Sequence, residues 1–230
     1  MLHNPNQMQK VRNALIAGAS GLVGGHCLEM LLKSERYSQV ISIGRRELPV
    51  INPKLEQKVV DFDKLHTFYA DLDVDDVFCC LGTTIKTAGS KEAFYKVDHT
   101  YVVELARVTA NKGASQFVVI SSMGADASSM FFYNKVKGEM ERDIQQVGFE
   151  SVHILRPSLL LGNRDEERIG ENLASKILKP LSSLMVGPLK VYRPIEAETV
   201  ASAMVYAAAH QEKGVHIYPS DQVAELGAKH

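Results

Sequence analysis

Asn13-Ala-Leu-Ile-Ala-Gly-Ala-Ser-Gly-Leu-Val-Gly-Gly25 is the stretch around which the chain is organised. Its apolar run, Ala14 to Ala17, is too short for a helix and reads as a buried strand. The run passes straight into Gly18-Ala19-Ser20-Gly21-Leu22-Val23-Gly24 and then into Cys27-Leu-Glu-Met-Leu-Leu32, which has helical character. Strand, glycine turn and helix is the context that gives a dinucleotide-binding fingerprint its physical meaning. Gly18 permits the tight turn, Gly21 lets backbone approach a pyrophosphate, and Gly24 lets the helix pack close on the strand. The N–H groups of the helix's first turn then face the phosphates. Gly18, Ser20, Gly21, Leu22, Val23 and Gly24 are therefore the first expected cofactor-binding residues.

Outward from this unit, strands and helices alternate. Gln39–Ile43 reads as a second strand ending at Gly44-Arg45-Arg46, Lys58–Val60 as a third, and Val74–Leu81 as a fourth. A turn-rich segment, Gly82–Ser90, precedes one long helix with Phe94, Val97, Tyr101, Val102 and Leu105 at helical spacing and Gly113 as its stop. Gln116–Ile120 is a fifth strand ending in Ser121-Ser122, and a helix over Tyr133–Val147 is stopped by Gly148. Ser151–Leu155 is a sixth strand. After Arg156 come a charged loop, Gly162–Arg168, an apolar helix around Asn172–Leu178, a helix over about Glu196–His210, a short strand at Val215–Tyr218 and a last helical turn. This alternation predicts a doubly wound parallel sheet with helices on both faces. Only 74 residues follow Arg156, which suits a small C-terminal substrate-side extension (156–230) rather than a second domain. Residues 1–10 are expected as a flexible arm and 11–230 as one domain.

The composition narrows the function. The 230 residues, 45% apolar and 23% charged, suit a globular domain with a sizeable core. A net charge of −1 gives no electrostatic case for nucleic acid or an anionic membrane. No apolar run approaches the about 20 residues of a membrane span, and the polar N-terminus lacks a signal-peptide core. Three cysteines make no disulfide framework, so a reducing, cytoplasmic location is expected. The eight histidines lack metal-site spacing, and no metal is assigned.

The end of the second strand chooses the cofactor. An NAD site carries an Asp or Glu there for the ribose hydroxyls. This chain has Arg45 and Arg46, whose guanidinium groups match a 2′-phosphate, so NADP(H) is expected. Asp61 and Phe62, past the third strand, fall where an adenine edge belongs. Leu81, Gly82, Thr83 and Thr84 leave the fourth strand where the nicotinamide-side ribose or phosphates are expected. For chemistry, Tyr133 and Lys137 are four apart and share one helix face. A neighbouring ammonium favours a phenolate and brings the tyrosine into the working range of an acid–base catalyst. Ser122 or Ser121 would donate to a substrate carbonyl oxygen, with distance from the strand favouring Ser122. Arg164 and Arg168, in the charged loop, read as solvated or as closing over an acidic substrate.

The glycine spacing, Ser122 and Tyr133-x-x-x-Lys137 resemble the short-chain dehydrogenase/reductase superfamily. Gly44-Arg-Arg46, Val59-Val-Asp-Phe62, Phe78-Cys-Cys-Leu-Gly-Thr-Thr84, Ser121-Ser122 followed by Gly124-Ala-Asp126, and Tyr133 to Gly138 resemble, more closely, the Tat-interactive-protein oxidoreductases, an atypical group within it. The similarity runs from about residue 11 to the C-terminus. It implies a Rossmann fold, NADPH binding and a reductase activity whose natural substrate is generally unsettled. Two departures stand out. Leu81-Gly82-Thr83 replaces the usual Asn-Ala-Gly, and the helix asparagine that completes a proton relay is missing, since Val97 is followed by Asp98 and His99.

The sequence therefore predicts an NADPH-dependent reductase of a small carbonyl compound, using Tyr133, Lys137 and a serine. The alternative is a non-catalytic NADP(H)-binding redox-sensing regulator acting through a protein partner. A nucleotide-sugar epimerase or dehydratase fits less well, because the C-terminal portion is short for so large a substrate.

Overall fold

Short runs rich in β-branched and aromatic residues form the strands, and longer amphipathic runs form the covering helices. The computed structural model describes residues 11–67, 72–162, 187–210 and 212–229. The first half runs β1 (Arg12–Ala17), α1 (Leu22–Lys33), β2 (Tyr37–Gly44), β3 (Leu55–Val59), a 3-10 turn (Phe62–Thr67) and β4 (Asp76–Cys79). Then follow α2 (Ile85–Ala88), α3 (Lys91–Tyr95), a π-helical turn (Lys96–Thr100), α4 (Tyr101–Asn111), β5 (Gln116–Ile120) and α5 (Phe132–Gln145). Last come β6 (Ser151–Arg156), β7 (Leu160–Leu161), a 3-10 turn (Gly187–Tyr192), β8 (Ile195–Glu196), α6 (Ala197–His210), β9 (Gly214–Pro219) and α7 (Ser220–Gly227).

Seven strands form one parallel sheet in the order β3-β2-β1-β4-β5-β6-β9, and β7 pairs with β8 in a separate ribbon. The chain leaves β1 toward β2 on one side and later returns to β4 on the other. That reversal opens a crevice at the carboxyl ends of the strands. Register aligns those ends: Ala17 pairs with Ile43 and Cys79, Cys79 with Val119, and Ile120 with Leu155. The glycine turn, Arg45, Leu81 and Ser121 therefore all emerge along one edge.

Alternating side chains feed two cores. Leu15, Val77, Phe117 and Ile154 face α4 and α5, while Ile16, Phe78, Val118 and Leu155 face α1, α6 and α7. Cys79 and Cys80 fall on opposite faces in the same way. At the far, amino-terminal edge, fully buried Asp76 accepts from Arg12 (2.6 and 3.0 Å), the Tyr37 hydroxyl (2.9 Å) and Gln116 (3.0 Å). Four strands are thus tied together opposite the crevice.

Several sequence-derived bounds change. The third strand begins at Leu55 rather than Lys58, because it continues the β2 ladder from Val40 onward. The fourth keeps only Asp76–Cys79. Upstream, Asp75 exchanges bonds with Asn13 at the sheet's rim instead of extending the strand. The loop after it contains the short α2, and the single long helix is broken by the π-turn. The N-terminal arm, Arg164, Arg168 and the helix around Asn172–Leu178 lie outside the described residues. Among the described residues, no helix is long and apolar enough to cross a membrane.

Candidate functional site

The glycine turn is built for close approach. Gly18 has φ +86°, and a Cβ there would lie 2.6 Å from the Cys80 carbonyl oxygen; a Cβ on Gly24 would lie 2.1 Å from the Gly18 oxygen. Any side chain at either point would drive β1, β4 and α1 apart. Gly21 stands at the start of α1 in extended backbone, with no side-chain cap and no acidic residue in the first turn. The positive end of the helix dipole is therefore left for an external anion. Ser20 is exposed beside it, and Leu22 is half-buried. Val23 is buried in the core, so it has only backbone to offer.

At the end of β2, Arg45 and Arg46 are exposed, and among the described residues neither has a carboxylate partner. Asp61 is exposed, and its carboxylate accepts the Asp63 N–H at 3.0 Å. Phe62 does not fit a side-chain contact with adenine. Its ring is buried against Tyr101, 5.4 Å between centroids, because the core under the 3-10 turn needs it. Thr84 also departs from its expected role: its hydroxyl caps α2 by accepting the Thr87 N–H at 3.1 Å.

Leu81, Gly82 and Thr83 lead from β4 toward Lys137 and the helix that carries Tyr133. Tyr133 and Lys137 lie one turn apart on α5. Tyr133 is 38% exposed with its ring against Phe94, whereas Lys137 is 4% exposed. Lys137 Nζ lies 2.8 Å from Asp98 Oδ1, and the other oxygen of Asp98 accepts the Thr83 N–H at 2.9 Å. A Cβ on Gly82 would sit 3.5 Å from Asp98 Oδ1 and 4.0 Å from Lys137 Nζ, so this loop lies directly against the pair. Burial works against the ammonium, but Asp98, aided by Tyr133 and Cys79, outweighs it and holds Lys137 above the ordinary lysine value. The position that appeared to lack a relay asparagine thus holds a buried carboxylate. Asp98 sits in the π-turn, a feature common at functional sites, and no spacing in the sequence signals its pairing.

The two serines separate. The Ser121 hydroxyl donates to Glu141 Oε1, and Glu141 is clasped by Arg156 at 2.5 and 3.0 Å. Ser121 is therefore part of a buried polar brace between β5, β6 and α5, which corrects its candidacy as the substrate-orienting group. Among the described residues, Ser122 Oγ is buried and has no hydrogen-bond partner. An orphaned buried hydroxyl at the carboxyl edge is costly unless a ligand completes it. The loop that follows is pressed onto α5 at Gly138, where a Cβ would come within 2.1 Å of Ala127 N and 2.2 Å of the Asp126 carbonyl carbon. Among the described residues, the crevice therefore fits a dinucleotide: a close-packed uncapped helix start, arginines without a carboxylate partner, an unpartnered buried hydroxyl at Ser122, and a cationic Lys137 against the Gly82 loop.

Comparison with known proteins agrees with this geometry. Residues 14–219 match the NAD dependent epimerase/dehydratase family. Protein HTATIP2 of Rattus norvegicus is 40% identical over 174 residues, 74% of this chain and 72% of that protein. Protein fmp52, mitochondrial, of Aspergillus clavatus is 35% identical over 202 residues, 85% of this chain and 86% of that protein. Among solved structures, the Bordetella bronchiseptica enzyme WbmH in complex with NAD+ superposes with a TM-score of 0.65 at 17% identity, covering 94% of this chain and 79% of that one. Fungal relatives, including those of Saccharomyces cerevisiae and Emericella nidulans, are named mitochondrial, which overturns the cytoplasmic expectation. Cysteine content carries no information on that choice.

Proposed function

The chain is a nicotinamide-dinucleotide-binding oxidoreductase of the NAD-dependent epimerase/dehydratase family, allied within it to the HTATIP2 and FMP52 proteins, and from that premise we propose that it reduces a small carbonyl compound with NADPH. The backbone from Gly18 to Gly24 holds the diphosphate, and Arg45 and Arg46 grip the 2′-phosphate. Asp61 and the Leu81–Thr83 backbone line the adenosine and nicotinamide sides. When bound, NADPH supplies a hydride for the carbonyl carbon. Ser122 donates a hydrogen bond to the carbonyl oxygen and orients it, and Tyr133 gives that oxygen its phenolic proton, leaving an alcohol. Lys137, cationic beside Asp98, stabilises the tyrosinate that remains and donates to the nicotinamide ribose. The second ligand in this reading is a small molecule, with no role for nucleic acid or a membrane surface.

The observation that carries the reading is the Ser122 hydroxyl, buried and without a partner among the described residues, just past the end of β5 on the segment that leads into the helix of Tyr133 and Lys137. The test is NADPH consumption across a panel of aldehydes and ketones, with Tyr133→Phe and Ser122→Ala as controls. Tyr133→Phe should lose at least about a hundredfold in kcat/KM with NADPH affinity nearly unchanged, and Ser122→Ala should lose about tenfold to a hundredfold. Full activity in Tyr133→Phe would sink the mechanism. Tight NADPH binding without turnover on any carbonyl would favour a redox-sensing regulator.

A further inference from the structure

We propose that Asp98 is a positioning residue that keeps the buried Lys137 in its ammonium form and fixes it against the cofactor loop. Lys137 and Asp98 are 4% and 1% exposed and lie 2.8 Å apart. The groups that bear on the ammonium are Asp98 from the π-turn, Tyr133 from its own helix and Cys79 from the end of β4. Burial pushes the Cys79 thiol up to about 12, so at neutral pH it contributes no charge. Asp98 is thus the acidic partner of Lys137 among the described residues. The Thr83 N–H, at 2.9 Å from the second oxygen, orients the carboxylate. An ammonium this deeply buried and left alone gives up its proton at a lower pH than one held against a carboxylate.

An asparagine of the same shape keeps an acceptor for Thr83 and removes only the charge. Asp98→Asn, Lys137→Met and the double variant are therefore compared in a Tyr133→Phe background, so that the phenolic hydroxyl is absent from every protein compared. NADPH affinity is read by fluorescence from about pH 7 to about pH 9, together with thermal melting. The reference should bind with nearly constant affinity. Asp98→Asn should resemble it near pH 7 and weaken by about tenfold toward pH 9, as Lys137 loses its proton and a charge-assisted hydrogen bond. Lys137→Met should bind weakly at every pH. An Asp98→Asn protein that binds as tightly as the reference across the whole range overturns the proposal.

The inference rests on the cofactor reading only through this probe, and melting decides without it. A lone buried ammonium makes folding stability rise with pH. Asp98→Asn should therefore melt below the reference most of all near pH 7, and adding Lys137→Met should restore the loss. A double variant as unstable as Asp98→Asn overturns the proposal even where the single variant is too unstable to titrate. If Lys137→Met binds NADPH as tightly as the reference while melting behaves as expected, Lys137 does not touch the cofactor. The Asp98 role then stands and the cofactor contact fails.

Discussion

Gly138→Ala separates two opposing effects on the helix that carries Tyr133 and Lys137. In an open helix the change would stabilise by about 1 kcal/mol through propensity and chain entropy. Here the new methyl would fall 2.1 Å from Ala127 N and 2.2 Å from the Asp126 carbonyl carbon, well inside contact distance. Both obstacles are backbone, so no side chain can swing aside. The loop after Ser122 or the helix itself must retreat by about an ångström, and overpacking of this kind costs about 1–3 kcal/mol. The upper end of that range applies, so the clash outweighs the propensity gain and leaves a net loss of about 2 kcal/mol. For a chain of this length that lowers Tm by about 4–8 °C. The loop and helix carry Ser122 and Tyr133, and a misplacement of about an ångström costs up to about a hundredfold in rate. Thermal melting and steady-state kinetics on the purified variant read both effects. A Gly138→Ala protein as stable and as active as the parent would refute the close approach and the coupling drawn from it.

Other expectations follow from separate parts of the molecule. Arg45→Ala should weaken NADPH binding by about tenfold, leave NADH binding unchanged, and lose its effect as salt is raised; titration of both cofactors checks it. Asp76→Asn places an amide donor against Arg12 in a buried cluster. It should cost about 3 kcal/mol by urea denaturation, with NADPH affinity of the folded protein retained. His153 is buried between Gln116 and Tyr218, and burial, with His216 adding to it, depresses it from 6.5 to about 4. As pH falls from 6.5 to about 4 the unfolded chain takes up a proton that the native state refuses, so stability drops by up to about 1.4 kcal/mol per pH unit. Replacing His153 with Gln should flatten that part of the profile in urea titrations at several pH values, and an unchanged slope would assign the loss to other groups.

Much of this architecture is legible in the sequence because its signals are local. The glycine turn between Ala17 and Leu22, the run Gln116–Ile120 and the helix carrying Tyr133 and Lys137 each announce themselves by composition or period, and each folds at its expected bounds to within a few residues. The site is less legible, because its decisive features are non-local. Asp98 meets Lys137 only when a π-turn carries it across to α5, and a spacing rule for asparagine passes over it. Distance from the strand separates Ser121 from Ser122 only weakly, and it is the approach of Glu141 and Arg156 that claims the Ser121 hydroxyl. Thr84 and Phe62 occupy the expected loops, but capping and core packing claim their side chains. The cellular compartment leaves no such physical trace.

The central claim is hydride delivery to a carbonyl carbon at the crevice lined by Ser122, Tyr133 and Lys137. The most direct measurement incubates the protein with NADPH carrying deuterium at the transferable ring position and with a panel of aldehydes and ketones, followed by mass spectrometry of the products. The account predicts an alcohol that carries one deuterium on the former carbonyl carbon and fails to form with Tyr133→Phe. Tight NADPH binding with no labelled alcohol from any member of the panel would contradict it.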